Sequence, residues 1–138
     1  MMQKVVGVAF IEDGKLLIVQ SHKSSKTNSW TLVGGGVEVG ETLIEAAIRE
    51  VSEEIHNNFT ISESDLEQLF TFSEHAASDP NKMIEMTIFI SHKKIDVELT
   101  TNAEILHYHW YKLGDDLNIS ASIKDHFLPY AIKNNLIY

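Results

Sequence analysis

The sequence predicts a mixed fold of the α/β (α+β) type, with one domain over residues 1–138 that builds a mixed central sheet and two helices. Three observations predict it. Apolar, β-branched runs separated by turn residues open the chain; a three-and-four spacing of apolar residues then marks an amphipathic helix; further β-rich runs follow before a second helical stretch closes the sequence.

Residues 4–12 and 15–20 are strand-like and are separated by Asp13-Gly14, a dipeptide that favours a two-residue hairpin turn because both positions tolerate positive φ. Residues 21–29 are small and polar, hence a loop, before Trp30-Thr31-Leu32-Val33 runs as a strand up to Gly34-Gly35-Gly36. From Thr42 the period changes. Leu43, Ile44, Ala47, Ile48, Val51 and Ile55 form one apolar helical stripe, Thr42 and Glu45 read as a capping box, and His56-Asn57-Asn58 supplies a stop, since asparagine accepts the left-handed conformation. Residues 66–76 and 83–92 read as strands joined through Ser78-Asp79-Pro80-Asn81, residues 105–113 as another strand, and residues 121–135 as a helix interrupted or kinked at Pro129.

A chain of 138 residues can bury one core, and 43% hydrophobic with 22% charged residues is the balance of a folding, water-soluble chain. Cysteine is absent, which excludes disulfides, thiolate zinc sites and cysteine nucleophiles together. The N-terminal apolar run soon meets Glu12, Asp13 and Gly14 and lacks the core of a signal peptide, and no stretch approaches the ~20 apolar residues of a membrane span. The expectation is a cytoplasmic protein with no membrane partner. Twenty acidic against 11 basic residues leave a net charge of −9, which argues against duplex nucleic acid as a partner. A polyanionic small molecule would also be repelled unless a cation bridged it to the protein.

Glu50, Glu53 and Glu54 stand at i, i+3 and i+4 of the first helix, which gathers three carboxylates on the face away from the apolar stripe. Each such like-charge pair costs about 0.2–0.5 kcal/mol, and a hard divalent cation reverses the sign. Magnesium, with manganese as a substitute, prefers oxygen ligands and retains waters, so a few carboxylates and substrate phosphates complete its shell. The glycine triplet allows close backbone approach, letting a main-chain carbonyl reach the same ion, and Arg49 lies where its guanidinium can bridge neighbouring carboxylates. Taken singly, a glutamate cluster is most often a solvated face and a glycine triplet a turn; no Gly-Lys-Ser/Thr follows, so the triplet is not a P-loop.

The combined spacing is more specific. Gly35, five residues, Glu41, seven residues, then Arg49-Glu50-Val51-Ser52-Glu53-Glu54 resembles the Nudix box, G-x5-E-x7-R-E-U-x-E-E-x-G-U with U aliphatic, at six fixed positions in register. The preceding Trp30-Thr31-Leu32-Val33-Gly34-Gly35 resembles the approach strand of that family. The resemblance implies an α/β/α sandwich around a mixed sheet and cleavage of a nucleoside diphosphate linked to a moiety X. It implies that Glu53 and Glu54 bind the metal, that the Gly34 carbonyl is a further ligand, that Glu50 binds metal or acts as base, and that Glu41 and Arg49 pair to brace loop against helix. A carboxylate from beyond the box often joins such sites; Glu104, six residues before Trp110, fits that place, with Glu85 and Glu98 as rivals. The sequence departs from the pattern where His56 replaces glycine and Asn57 an aliphatic residue, which concerns the helix exit and not the metal, and where Val33 stands for a frequent proline.

The chemistry so implied is attack of water on phosphorus, with Glu50 or Glu104 taking the proton. A small MutT-like nucleoside triphosphate pyrophosphohydrolase is the favoured reading; a non-catalytic Nudix domain that senses a nucleotide or sugar nucleotide is the alternative. Against the alternative stand the complete set of box carboxylates and the lack of an attached DNA-binding or partner domain. A homodimer is compatible with either. His107 and His109 share one strand face but are too few for zinc, and among Trp30, Phe72, Phe89, Tyr108 and Trp110 core packing is the commoner role, with base stacking open to some. Asn118-Ile119-Ser120 matches a glycosylation sequon without the secretory signal that would give it meaning.

Overall fold

A computed structural model describes residues 2–76, 79 and 81–138. The strands are β1 (Gln3–Ala9), β2 (Ile11–Glu12), β3 (Lys15–Ser21), β4 (Val33–Gly36), β5 (Leu66–His75), β6 (Met83–Ser91) and β7 (Ile105–Tyr111); α1 is Leu43–Ile55 and α2 is Leu128–Lys133. The expected turn Ser78-Asp79-Pro80-Asn81 involves Ser78 and Pro80, which lie outside the described residues.

The central β layer is divided into two sheets. One is mixed, in the order β4-β1-β6-β5, with β1 parallel to β6; the other is antiparallel, in the order β2-β3-β7. The division falls inside the run 4–12, which sequence alone read as one strand. Gln3–Ala9 pairs in the mixed sheet, whereas Ile11 and Glu12 form the hairpin with Leu16 and Lys15 across Asp13-Gly14, whose φ values are 51° and 74°. Both turn residues therefore adopt the positive φ that made the dipeptide a hairpin signal. Gly34, Gly35 and Gly36 belong to β4 itself, while Trp30 and Thr31 make only single bridges, to Ile119 and Val19.

Alternating residues of β3 explain the layering. Leu17 and Val19 enter a core shared with Val6, Val8 and Phe89 and covered by Ala46, Ala47, Val51 and Ile55 of α1. Leu16 and Ile18 enter a second core with Leu32 and Ile88, covered by Ile123, Phe127 and Ala131 of the C-terminal helical segment. A strand buried on both faces needs a helical layer on each side, and the result is the expected α/β/α sandwich. The C-terminal segment stays helical through Pro129. A π-type turn over Ser122–Phe127 precedes α2, and the proline sits in the first turn of α2, where its missing N–H costs little.

The capping box is formed: Thr42 Oγ1 accepts from the Glu45 N–H at 3.2 Å and Glu45 Oε1 from the Thr42 N–H at 2.9 Å. At the other end of α1, His56, Asn57 and Asn58 all take positive φ, at 50°, 54° and 65°. Asparagine tolerates this, whereas His56, with ψ of −151°, occupies a region that glycine alone visits cheaply. His56→Gly is therefore expected to raise stability by roughly 1 kcal/mol in urea unfolding, the strain outweighing the loss of the His56–Thr100 contact at 3.3 Å. A destabilised variant would contradict this.

Candidate active site

β4 and α1 converge on one acidic recess. Gly34, Gly35, Gly36, Glu50, Glu54 and Glu104 border a cavity of about 300 Å³. The glycines are required by distance as much as by φ. A Cβ on Gly34, whose φ is 154°, would stand 2.0 Å from the Val6 carbonyl oxygen, and one on Gly35 would stand 2.7 Å from the Glu50 carboxylate. The Glu50 carboxylate thus lies directly over the β4 backbone. Gly35→Ala is expected to displace that flexible carboxylate and lower turnover by about 10- to 100-fold, because a displacement of about 1 Å suffices for such a loss. The melting temperature should change by no more than a few degrees, so an unaltered turnover would mean that the position of Glu50 is unimportant.

Arg49 ties the acidic groups together. Its Nε donates to Glu41 Oε2 at 2.6 Å and its Nη2 to Glu41 Oε1 at 3.0 Å, a two-pronged pair, while Nη2 also reaches the Gly36 carbonyl at 2.9 Å. Nη1 donates to Glu50 Oε1 at 2.8 Å and contacts Glu53 at 3.4 Å. The expected brace between loop and helix is thereby formed in geometric terms. The Arg49 guanidinium, with help from the Glu38 N–H, holds the Glu41 carboxyl below its ordinary range.

The other carboxylates are pushed the opposite way. Glu54 is buried, and desolvation raises its pKa well above the ordinary value; the Gly34 N–H, which donates to Oε1 at 2.8 Å, opposes this, and Glu50, Glu104 and Glu53 add to it. Glu50 is raised chiefly by burial, an effect that Arg49 partly offsets. Glu53 is more open, with its side chain 44% exposed. Glu104 is exposed at the rim, where Asn102 Oδ1 accepts its N–H at 2.9 Å. Asn102 also reaches the Glu54 carbonyl at 3.3 Å and the Tyr108 hydroxyl at 2.9 Å, and Tyr108 donates to that same carbonyl. Tyr108 therefore anchors the last turn of α1 through its hydroxyl.

The rivals to Glu104 lie elsewhere. Glu85 pairs in register with Lys4 and Ser73 in the mixed sheet, and Glu98 offers its carbonyl to Asn57 beyond the helix end. Phe89 is buried, Phe72 stacks on His126 at 3.8 Å, and Trp110 packs against the first core. Two features of the recess escaped sequence reasoning. His22 and Lys23, in what reads from sequence only as a polar loop, border it, and Lys23 brings positive charge to its edge; a short pair in a loop carries no periodic signal. Ser120 Oγ is buried without a hydrogen-bond partner among the described residues, in an adjoining cavity of about 150 Å³ that also meets Gly34 and Gly35.

The donor set fits a hard divalent cation. Every charged donor is a carboxylate, and Glu54 lies where burial penalises its charged form and the Gly34 N–H offsets that only in part, a penalty that a cation would relieve. Among the described residues no three acidic or histidine side chains are placed to hold a metal ion by themselves, so there is no preformed cage. Magnesium needs no such cage, because it retains waters and takes its remaining ligands from phosphate oxygens.

The model of the NUDIX domain matches residues 1–130. The chain belongs to the Nudix family. Among curated relatives, "Putative nudix hydrolase 1" of Caenorhabditis elegans is 44% identical over 43 residues, which cover 31% of this chain and 12% of that protein. The MutT protein of Methanosarcina mazei Go1 superposes with a TM-score of 0.72 at 25% identity, over 96% of this Nudix chain and 95% of the other. A MutT/nudix family protein of Enterococcus faecalis superposes with a TM-score of 0.65 at 24% identity, over 80% of this chain and 44% of the other. The chain thus spans about an eighth of the curated relative and less than half of the Enterococcus protein. Its Nudix box is the Gly35 to Glu54 stretch that folds into the recess, and His56 stands in the left-handed position that closes the box. No helix among the described residues is long and apolar enough to cross a membrane.

Proposed function

We propose that this Nudix protein is a magnesium-dependent hydrolase that cleaves a diphosphate linkage in a nucleotide, with a nucleoside triphosphate as the favoured substrate. The observation that carries the reading is the gathering of Glu50, Glu54 and Glu104 around one recess, with Glu53 close enough for its charge to act on Glu54, and with the most buried of them, Glu54, held against the Gly34 N–H. Glu53, Glu54, Glu50 and Glu104, with the Gly34 carbonyl, would hold the metal; Arg49 and Glu41 would keep loop and helix in register. Magnesium, or manganese in its place, supplies when bound the positive charge that offsets a diphosphate and the chain's own net charge.

The protein's groups then have separable tasks. Lys23 and His22 stand where they can meet phosphate oxygens at the rim. Glu50 or Glu104 accepts the proton of the attacking water; burial raises the proton affinity of Glu50, which favours it as a base nearer neutral pH. The cavity beside Gly34 and Gly35 would receive the nucleoside, with Ser120 Oγ free to bond one of its polar edges. This reading invokes neither duplex nucleic acid nor a membrane, is compatible with a homodimer, and suits a cytoplasmic setting in which a cysteine-free chain needs no oxidation.

The test is release of nucleoside monophosphate and pyrophosphate, or of monophosphate and phosphorylated X, from a panel of nucleoside triphosphates, sugar nucleotides and dinucleotides, with and without magnesium. Metal-dependent turnover of a triphosphate is the expected result. Tight nucleotide binding with no turnover of any member would replace the hydrolase by a sensor.

A further inference from the structure

A second cleft lies apart from the acidic recess. The Trp30 N–H donates to the Asn118 carbonyl at 2.9 Å and the Ser120 N–H to the Trp30 carbonyl at 2.8 Å, so these two segments run side by side. Thr31, Leu32 and Ser120 border the cavity next to the glycines, whereas Trp30 and Asn118 border a different one, of about 410 Å³, together with Gln20, His107, His109 and Asp116. No glutamate of the box, no glycine of β4 and no lysine or arginine borders this second cleft.

Its chemistry is that of a ring-binding site. The Trp30 indole is half-buried, with the His107 and His109 rings at centroid distances of 6.3 and 6.0 Å. His107 and His109 lie along one face of β7, opposite Gln20 and Ile18 of β3 respectively. Gln20 is a buried carboxamide, 6% exposed, in a strand whose four preceding residues are aliphatic. Its Nε2 donates to Asn28 Oδ1 at 3.1 Å, and its Oε1 has no protein partner among the described residues. Ser120 Oγ is the one fully buried side-chain oxygen or nitrogen without a partner among the described residues, so Gln20 Oε1 opens onto the cleft, where water or a ligand can meet it. The Trp30 indole N–H and both ring nitrogens of His107 are likewise without protein partners among the described residues, whereas His109 Nε2 is engaged with Asp115 at 2.9 Å. Flat aromatic faces, unused donors and an accessible carboxamide acceptor suit a planar ring with polar edges. The presence of Asp116 and the lack of lysine or arginine make the cleft unsuited to a phosphate.

We propose that the cleft between Gln20, Trp30 and His107 is a second binding site, for an uncharged heteroaromatic ring with hydrogen-bond donors and acceptors on its rim, the chemistry of a nucleobase. It requires neither metal nor phosphate, so it stands or falls independently of the hydrolase reading.

The experiment titrates the full chain, free of magnesium, with adenosine, guanosine, cytidine and uridine, and follows the Trp30 indole resonance by 1H–15N NMR. Saturable movement of that resonance is expected for at least one nucleoside, with a dissociation constant on the order of 1 mM or tighter. His107→Ala and Gln20→Ala should each weaken the binding at least about 10-fold, or 1.4 kcal/mol, while Ser120→Ala and Glu53→Gln leave it unchanged. His107 is exposed, so His107→Ala decides the matter should Gln20→Ala fail to fold. Absence of movement with all four nucleosides would overturn the proposal. So would binding that survives His107→Ala or is lost in Ser120→Ala, since the ligand would then sit elsewhere.

Discussion

Glu53→Gln is expected to remove magnesium-dependent turnover, by roughly 10² to 10³-fold in kcat, while leaving the melting temperature within about 2 °C of the parent. The two halves of this outcome have separate causes. The Glu53 side chain is 44% exposed, and its one ion pair among the described residues is the 3.4 Å contact with Arg49, a geometry worth about 0–1 kcal/mol. The fold therefore loses little. The amide keeps the shape but removes the charge that a hard cation needs beside a diphosphate, so a reaction that depends on that cation loses most of its rate. Full turnover in the variant, measured at saturating magnesium, would remove Glu53 from the site.

The contrast between Glu53 and Glu54 also shows how far the sequence could be read. Helix α1 was legible because its apolar stripe, its capping box and its asparagine stop are all local signals, and the structure follows each of them. The Glu41–Arg49 pair was legible because a fixed spacing on and before one helix determines which side chains can meet. The burial of Glu54 was not. Its neighbour in sequence is open to solvent, and only the packing of β4, through the Gly34 N–H, distinguishes the two.

Long-range pairing hid the rest. Residues 4–12 have a continuous β pattern, and nothing in it says that Phe10 separates two sheets, because strand periodicity specifies a face and not a partner. His22, Lys23 and Ser120 reach the site region from segments with no motif that points to this chemistry. Their placement depends on where β3 ends and on how the 118–120 segment lies along Trp30. At Pro129 the sequence predicts a helix that is interrupted or kinked, and the structure has a helical segment whose regular α geometry gives way to a wider turn over Ser122–Phe127 just before the proline.

Glu54→Gln should have two opposite effects, a loss of magnesium-dependent turnover and a gain in stability of the metal-free protein at alkaline pH. The sign follows from the direction of the pKa shift. Burial raises the folded-state pKa of Glu54 above its unfolded value, so the folded chain retains this proton more tightly than the unfolded chain. Below the unfolded pKa both states are protonated and the group imposes no penalty. As pH rises through the folded pKa, the folded state must accept a buried carboxylate beside Glu50, Glu53 and Glu104, and stability falls. Glutamine has no proton to lose and can still accept the Gly34 N–H through its carbonyl oxygen. The variant and parent should therefore unfold alike near pH 4, and the variant should exceed the parent by about 1–3 kcal/mol near pH 8. Magnesium binds the folded parent through the same charge, so excess magnesium should close that gap at pH 8 by stabilising the parent alone. Urea unfolding at the two pH values, with magnesium and with chelator, measures all four quantities. A gap that does not change with pH, or that magnesium leaves open, would mean that Glu54 is neither the strained anion nor a metal ligand.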